Sequence, residues 1–113
     1  MIAQVRPGDL NAWLTQVRGA QAPLLLDVRE PHELATASVG PGDYEFAAMP
    51  INSVPQRLAE LDPERPVACL CHHGARSMQV ASFLAARGFT QVANIAGGID
   101  AWSIERDLAI PRY

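Results

Sequence analysis

The chain has 113 residues, of which 49% are hydrophobic and 19% charged, and a formal net charge of −3. This length fits one compact domain, residues 1–113, with an ordinary core. The charge balance shows no basic patch and argues against nucleic acid or an anionic membrane as the main partner. All nine basic residues are arginines, which excludes a lysine Schiff base, a lysine general base and a Walker-type phosphate lysine.

The start, MIAQVRPGDLNAW, has no charged segment followed by an apolar one, so no signal peptide is expected. No apolar run approaches the ~20 residues needed to span a bilayer. Cys69 and Cys71 are separated by a single residue, a spacing that would strain a disulfide between them. Together these features predict a cytoplasmic protein with reduced thiols.

Along the chain, IAQV reads as a first strand. PGDLNAWLTQVRG reads as a helix, with Pro7 near its start, Leu10, Trp13, Leu14 and Val17 on one face, and Gly19 as its stop. Arg6 is no N-cap residue, so the first turn is expected to be weak. PLLLDV is a continuous apolar run, as expected of a strand buried on both faces of a parallel sheet. EPHELATA predicts a short helix with Pro31 in its first turn, and FAAM a short strand. SVPQRLAEL predicts a helix capped by Ser53. PVACLC is the clearest strand, and SMQVASFLAARG the clearest helix, with Val80, Ala81, Leu84 and Ala85 along one stripe and Gly88 at its end. TQVANI is a last strand, GGIDAWSIE a turn and helix, and RDLAIPRY a tail. This alternation predicts an α/β fold with a mainly parallel sheet and helices on both faces.

Cys71 stands where the strand PVACL ends, ahead of a helix. Ligands of open α/β sheets bind beyond the carboxyl ends of the strands. A loop there turns backbone N–H groups toward the positive end of the next helix. Gly74 allows the turn conformation such a loop needs. A thiolate in this setting is stabilised, which makes Cys71 a candidate nucleophile beside a pocket for an oxyanion. A half-buried cysteine in a connecting loop is the plain alternative.

CHHGARS resembles the active-site loop of rhodanese-type sulfurtransferases, loosely C-x-x-G-x-[RT]-S. LLLDVREPHEL resembles the family's D-V-R-x-x-x-E segment, and VANIAGGIDAW its G-G-x-x-A-W ending. The three fall in the family's order from Leu24 to Trp102. The resemblance implies a rhodanese-like three-layer fold with a mainly parallel sheet of about five strands. It further implies that Cys71 attacks the sulfane sulfur of a small anionic donor such as thiosulfate and holds it as a persulfide. A thiol, cyanide or a sulfur-acceptor protein then takes the sulfur, with no metal or organic cofactor. His72, His73, Gly74, Ala75, Arg76 and Ser77 would form the loop around the persulfide, their backbone N–H groups stabilising its charge.

Several side chains admit two readings. Arg76 faces the substrate anion or folds back onto a carboxylate, Asp27 being the obvious one; Asp27 is otherwise a brace for the loop. Ser77 caps the following helix or hydrogen-bonds the persulfide, the cap being the simpler expectation. Cys69 is a small apolar side chain within its strand, or less readily a resolving thiol. His72 and His73, as sequence neighbours, are expected to point apart and to share no metal; one lines the pocket mouth, or both are simply exposed. Arg29 and Glu33 are expected to pair across their short helix. Gly97 and Gly98 read as a turn beneath Trp102 with no ligand role. The stretch ASVGPGDYEFAAMP lacks the G-H-I-x-G-A pattern of many family members, and Tyr44 and Phe46 there are core residues or part of a pocket wall. A non-catalytic rhodanese-like module is an alternative function, weakened by the presence of the cysteine. A phosphatase or arsenate reductase is another, weakened because Cys71 and Arg76 enclose only HHGA, one residue short of the C-x-x-x-x-x-R loop.

Overall fold

The computed structural model describes residues 2–113; Met1, the first residue of the expected domain, lies outside them. Five strands form one sheet: β1 (Ala3–Val5), β2 (Leu24–Asp27), β3 (Glu45–Ala48), β4 (Val67–Leu70) and β5 (Val92–Ile95). Their order is β1-β5-β4-β2-β3, and every pairing is parallel. The helices are α1 (Leu10–Val17), α2 (Pro31–Thr36), α3 (Ala75–Ala86) and α4 (Gly98–Glu105).

The pleat explains why the strands read as unbroken apolar runs. Leu24 and Leu26 of β2 and Cys69 of β4, followed by Cys71, face one core with Val80, Ala81 and Leu84 of α3. Leu25, Ala68 and Leu70 face the other, with Leu10 and Leu14 of α1 and Ile99 and Trp102 of α4. Successive side chains thus enter opposite cores, and both must be apolar. Every residue of β2, β4 and β5 is buried. The α/β sandwich expected from the alternation of elements is the one observed.

Three local departures have physical causes. The first turn of the Pro7 segment is a 3-10 turn, Pro7–Asp9, and Arg6 supplies no side-chain cap. SVPQRLAEL forms no α-helix: it breaks into turns and 3-10 segments, Ile51–Ser53 and Leu58–Glu60. The Ser53 hydroxyl donates to Pro50 O at 2.7 Å and so is not a helix cap. Pro55 in the middle of that stretch has no N–H to give to a helix ladder. Finally, α3 starts at Ala75 and not at Ser77, because Gly74 takes a left-handed φ of +112° and turns the chain directly into the helix.

α2 carries a reciprocal cap that the sequence EPHE encodes. The Glu30 side chain accepts from the Glu33 backbone, and Glu33 Oε1 accepts from Glu30 N at 3.1 Å. Pro31 at the first helical position fits this start. No helix of the described residues is long and apolar enough to cross a membrane.

Candidate active site

The carboxyl end of β4 delivers Cys71 into a three-residue bend, His72 to Gly74, before α3 begins. Its sulfur accepts a hydrogen bond from Gly74 N at 3.0 Å and lies 3.2 Å from the Ser77 hydroxyl. α3 opens right behind the sulfur, and the first N–H groups of a helix have no partners within it. The loop is shaped from the other side by α4. Ile99 N donates to Cys71 O at 2.9 Å and Asp100 N to His72 O at 3.2 Å. The Cys71 and His72 carbonyls are thereby drawn toward α4, and the Gly74 N–H is left on the sulfur's side.

This close approach requires Gly98. It has φ +60°, and a Cβ there would overlap His72 O and come within 2.5 Å of Cys71 O. The glycine pair after β5 is therefore part of the loop's mould, beyond a turn beneath Trp102.

Ser77 is the third residue of α3, fully buried, and is not the helix cap. Because α3 begins earlier than expected, its hydroxyl faces the sulfur and donates to Asn94 Oδ1 at 2.5 Å. Ala75, the first residue of α3, is exposed. Cys69 is fully buried, and burial pushes its thiol up to about 12, so it stays protonated. Both cysteines are free.

Arg76 is turned to a carboxylate, and that carboxylate is Glu33. Its Nη1 and Nη2 donate to Glu33 Oε1 and Oε2 at 2.6 and 2.8 Å, a two-point pair between α3 and α2. Asp27, expected as the loop's brace, is instead engaged by Arg29 through Nε at 2.9 Å and Nη2 at 2.8 Å, with both side chains fully buried. The expected Arg29–Glu33 side-chain pair does not form. Arg29 reaches only the Glu33 backbone carbonyl, at 3.4 Å, because Asp27 at the strand end holds its guanidinium.

The histidines do not diverge. Their rings stack at 3.9 Å with 25° between planes, and the Tyr113 ring stacks on His72 at 3.9 Å and 8°. The bend at Gly74 brings the two side by side, and the tail covers the open face of His72. The Tyr113 hydroxyl donates to Glu33 Oε2 at 2.7 Å and accepts from Arg29 Nη1 at 3.0 Å. Arg112 also anchors the tail, donating to Asp100 at 2.8 Å. Among the described residues no group of His, Cys, Asp or Glu side chains could hold a metal ion. Tyr44 packs edge-on against Trp102, ring centroids 6.3 Å apart, and Phe46 is exposed, so neither walls the cysteine.

Hydrogen bonds from Arg76 hold the Glu33 carboxyl far below the usual carboxylate range, and the Tyr113 hydroxyl adds to this against the cost of burial. The same pairing raises the Arg76 guanidinium. A depressed carboxylate contributes stability that is present above its unfolded pKa, about 4.3, and disappears as the pH falls toward the folded value. Wild type should therefore exceed Glu33→Gln in urea midpoint at pH 6, and the gap should shrink between about pH 4.5 and pH 2. A gap that stayed constant over this range would show that the ion pair contributes nothing to folding.

A parallel sheet flanked by helices, with a buried cysteine in a tight loop at the carboxyl edge of a central strand, defines the class of α/β domain to which the chain belongs. The rhodanese-like domain profile matches residues 10–105, and the chain belongs to that family. It is 44% identical over 90 residues to rhodanese-like/PpiC domain-containing protein 12, chloroplastic, of Arabidopsis thaliana, with 79% of this chain and 30% of that protein covered. The chain thus spans less than a third of that relative. It is also 36% identical over 93 residues to thiosulfate sulfurtransferase GlpE of Actinobacillus pleuropneumoniae serotype 7, covering 81% of this chain and 80% of that one. Its fold is similar to the crystal structure of a rhodanese-related protein from Thermoplasma volcanium, with TM-score 0.72, 29% identity, and 92% and 93% of the two chains covered.

Sequence reasoning placed Cys71 and its loop at the end of β4 but missed four neighbours that shape their surroundings: Asn94, Gly98, Tyr113 and the Glu33 clamp on Arg76. Asn94 had a signal, as a polar residue within the run VANI that the buried strand makes expensive. Gly98 had only the doubled glycine.

Proposed function

We propose that this protein is a sulfurtransferase that carries sulfane sulfur as a persulfide on Cys71. The observation that carries this reading is the sulfur's setting, with the Gly74 N–H at 3.0 Å and the Ser77 hydroxyl at 3.2 Å at the start of α3. The Gly74 N–H donates to the sulfur, the Ser77 hydroxyl can do so once its proton turns from Asn94, and the helix end adds its positive potential. The sulfurtransferase name of a relative covered over most of its length supports the same chemistry.

The Cys71 thiolate attacks the outer sulfur of a donor such as thiosulfate. A new S–S bond forms to Cys71, the donor's S–S bond breaks, and sulfite departs with the bonding electron pair. In the second step an acceptor nucleophile, a thiolate or cyanide, attacks the outer persulfide sulfur and releases Cys71 as thiolate. Sulfur is transferred without any external oxidant, and no cofactor enters either step. Arg76, held by Glu33, fixes the first turn of α3; its guanidinium is not free to clamp a phosphate, which speaks against the phosphatase alternative. Two free thiols suit a reducing compartment such as the cytoplasm.

Intact-protein mass after incubation with thiosulfate tests the reading. One added sulfur, removed by cyanide and absent in Cys71→Ser, is expected; an unmodified wild-type mass with thiosulfate and with polysulfide would refute it.

A further inference from the structure

Asn94 is a buried amide in an otherwise apolar strand, 4% exposed. Both of its ends are occupied. Its Oδ1 accepts from the Ser77 hydroxyl at 2.5 Å, and its Nδ2 donates to Gln4 Oε1 at 3.0 Å. Gln4 lies on the edge strand β1, exposed, and its Nε2 donates to Met78 Sδ at 3.1 Å. Ser77 in turn is 3.2 Å from the Cys71 sulfur. A line of side chains therefore connects the reacting sulfur, through the end of the sheet, to an exposed glutamine.

The line has a polarity. Gln4 takes the N–H end of the Asn94 amide, so the carbonyl end faces Ser77. A hydroxyl has one proton to give, and here it goes to Asn94. Ser77 consequently presents a lone pair to Cys71. A lone pair accepts from an S–H and opposes a thiolate, whereas the nucleophilic form requires the hydroxyl to donate to sulfur.

We propose that Asn94, oriented by Gln4, is a positioning residue that directs the Ser77 hydroxyl proton away from Cys71 and so holds the resting sulfur as a thiol. On ionisation the thiol proton passes to solvent. Ser77 keeps its own proton and swings it from Asn94 Oδ1 to Sγ, or the two amides turn over together so that Asn94 Nδ2 donates to Ser77. The readiness of the nucleophile is thus coupled to a side chain on the outer strand of the sheet. Packing alone offers no reason for an asparagine at this place, since its cross-strand partner on β4, Cys69, is fully buried in an apolar core.

The test is the rate of Cys71 alkylation by iodoacetamide as a function of pH on the full chain, with the labelled residue identified by peptide mass. Gln4→Leu changes an exposed position and leaves the core intact. It should move the half-maximal pH down by about half a unit, roughly a threefold gain in rate on the acid limb. Asn94→Ala should move it in the same direction and at least as far. In a Ser77→Ala background neither substitution should move the profile, because the hydroxyl they act through is gone. The charged and titratable groups around the sulfur are Cys69 on β4, His72 and His73 in the loop, Arg76 on α3 with Glu33 on α2, Asp100 on α4 and Tyr113 in the tail. None of them is altered by these substitutions. A profile unchanged in Gln4→Leu, or a shift that persists without Ser77, would overturn the proposal, and Gln4→Leu decides it even if Asn94→Ala fails to fold. The proposal rests on Cys71 as the reacting sulfur, but alkylation reads that sulfur directly. A missing persulfide with an intact shift would therefore remove only the sulfurtransferase reading.

Discussion

Gly98→Ala should slow sulfur loading of Cys71 by at least about a hundredfold, equivalent to roughly 2.7 kcal/mol of barrier. The substitution looks small, but the position tolerates no side chain. The new Cβ would overlap His72 O and lie 2.5 Å from Cys71 O, both of them backbone atoms. Those carbonyls are the acceptors for Ile99 N and Asp100 N, the bonds that dock α4 against the loop. Relief of the overlap must rotate the peptides after Cys71 and His72. Such a rotation shifts the loop that follows, and the Gly74 N–H, 3.0 Å from the sulfur, would lose its alignment. The left-handed φ of +60° adds about 1 kcal/mol or more of strain for a residue with a side chain. Gly88→Ala is the control: Gly88 also has a left-handed φ, +92°, but a Cβ there meets open space. It should lose about 1 kcal/mol of stability and keep its loading rate. Rates are read from the growth of the added-sulfur mass, and stability from urea unfolding. If Gly98→Ala loaded sulfur as fast as Gly88→Ala, the docking of α4 would not be what shapes the loop.

The fold was legible because its strands are buried on both faces. Runs such as LLLD and VACL can be satisfied only inside a parallel sheet, and Gly and Pro marked most of the boundaries between them. The failure at SVPQRLAEL came from giving Ser53 the weight of a cap when Pro55, two residues on, denied the helix a donor. The two-residue error at the start of α3 was small in sequence and large in consequence. It turned Ser77 from an expected cap into a buried hydroxyl on the sulfur.

Cys71 was legible by position, and so was Gly74, because a strand end followed by a tight turn and a helix imposes geometry that one sequence displays locally. The charged partners were not. Arg76 pairs with Glu33 on α2, while the Asp27 carboxylate that the sequence offered is taken by Arg29. No local pattern reports such a three-dimensional competition. The His72–His73 stack is of the same kind: its third ring, Tyr113, comes from the far end of the chain.

Arg29→Leu should cost about 3–5 kcal/mol of folding stability, a large share of the roughly 5–15 kcal/mol available to a domain of this size. Arg29 is fully buried. Burial disfavours its charge, but the hydrogen bonds it donates to Asp27 and to the Tyr113 hydroxyl outweigh that cost and raise the guanidinium. Its donors are spent on Asp27, on Ala37 O at 2.9 Å and on the Tyr113 hydroxyl, so one side chain joins β2, the end of α2 and the tail. Leucine would leave the Asp27 carboxylate buried without its cation, the expensive half of a broken pair. Asp27→Asn combined with Arg29→Leu removes that stranded charge and should recover part of the loss, though not the bonds to Ala37 and Tyr113. Urea unfolding of wild type, the single and the double variant measures this. A single variant within about 1 kcal/mol of wild type, or a double variant less stable than the single, would show that the buried pair is not what anchors this corner. Because Arg29 also donates to the Tyr113 hydroxyl, which bonds the Glu33 carboxylate that holds Arg76, the folded fraction of Arg29→Leu should load sulfur more slowly than wild type. The stability of this corner and the shape of the site depend on the same guanidinium.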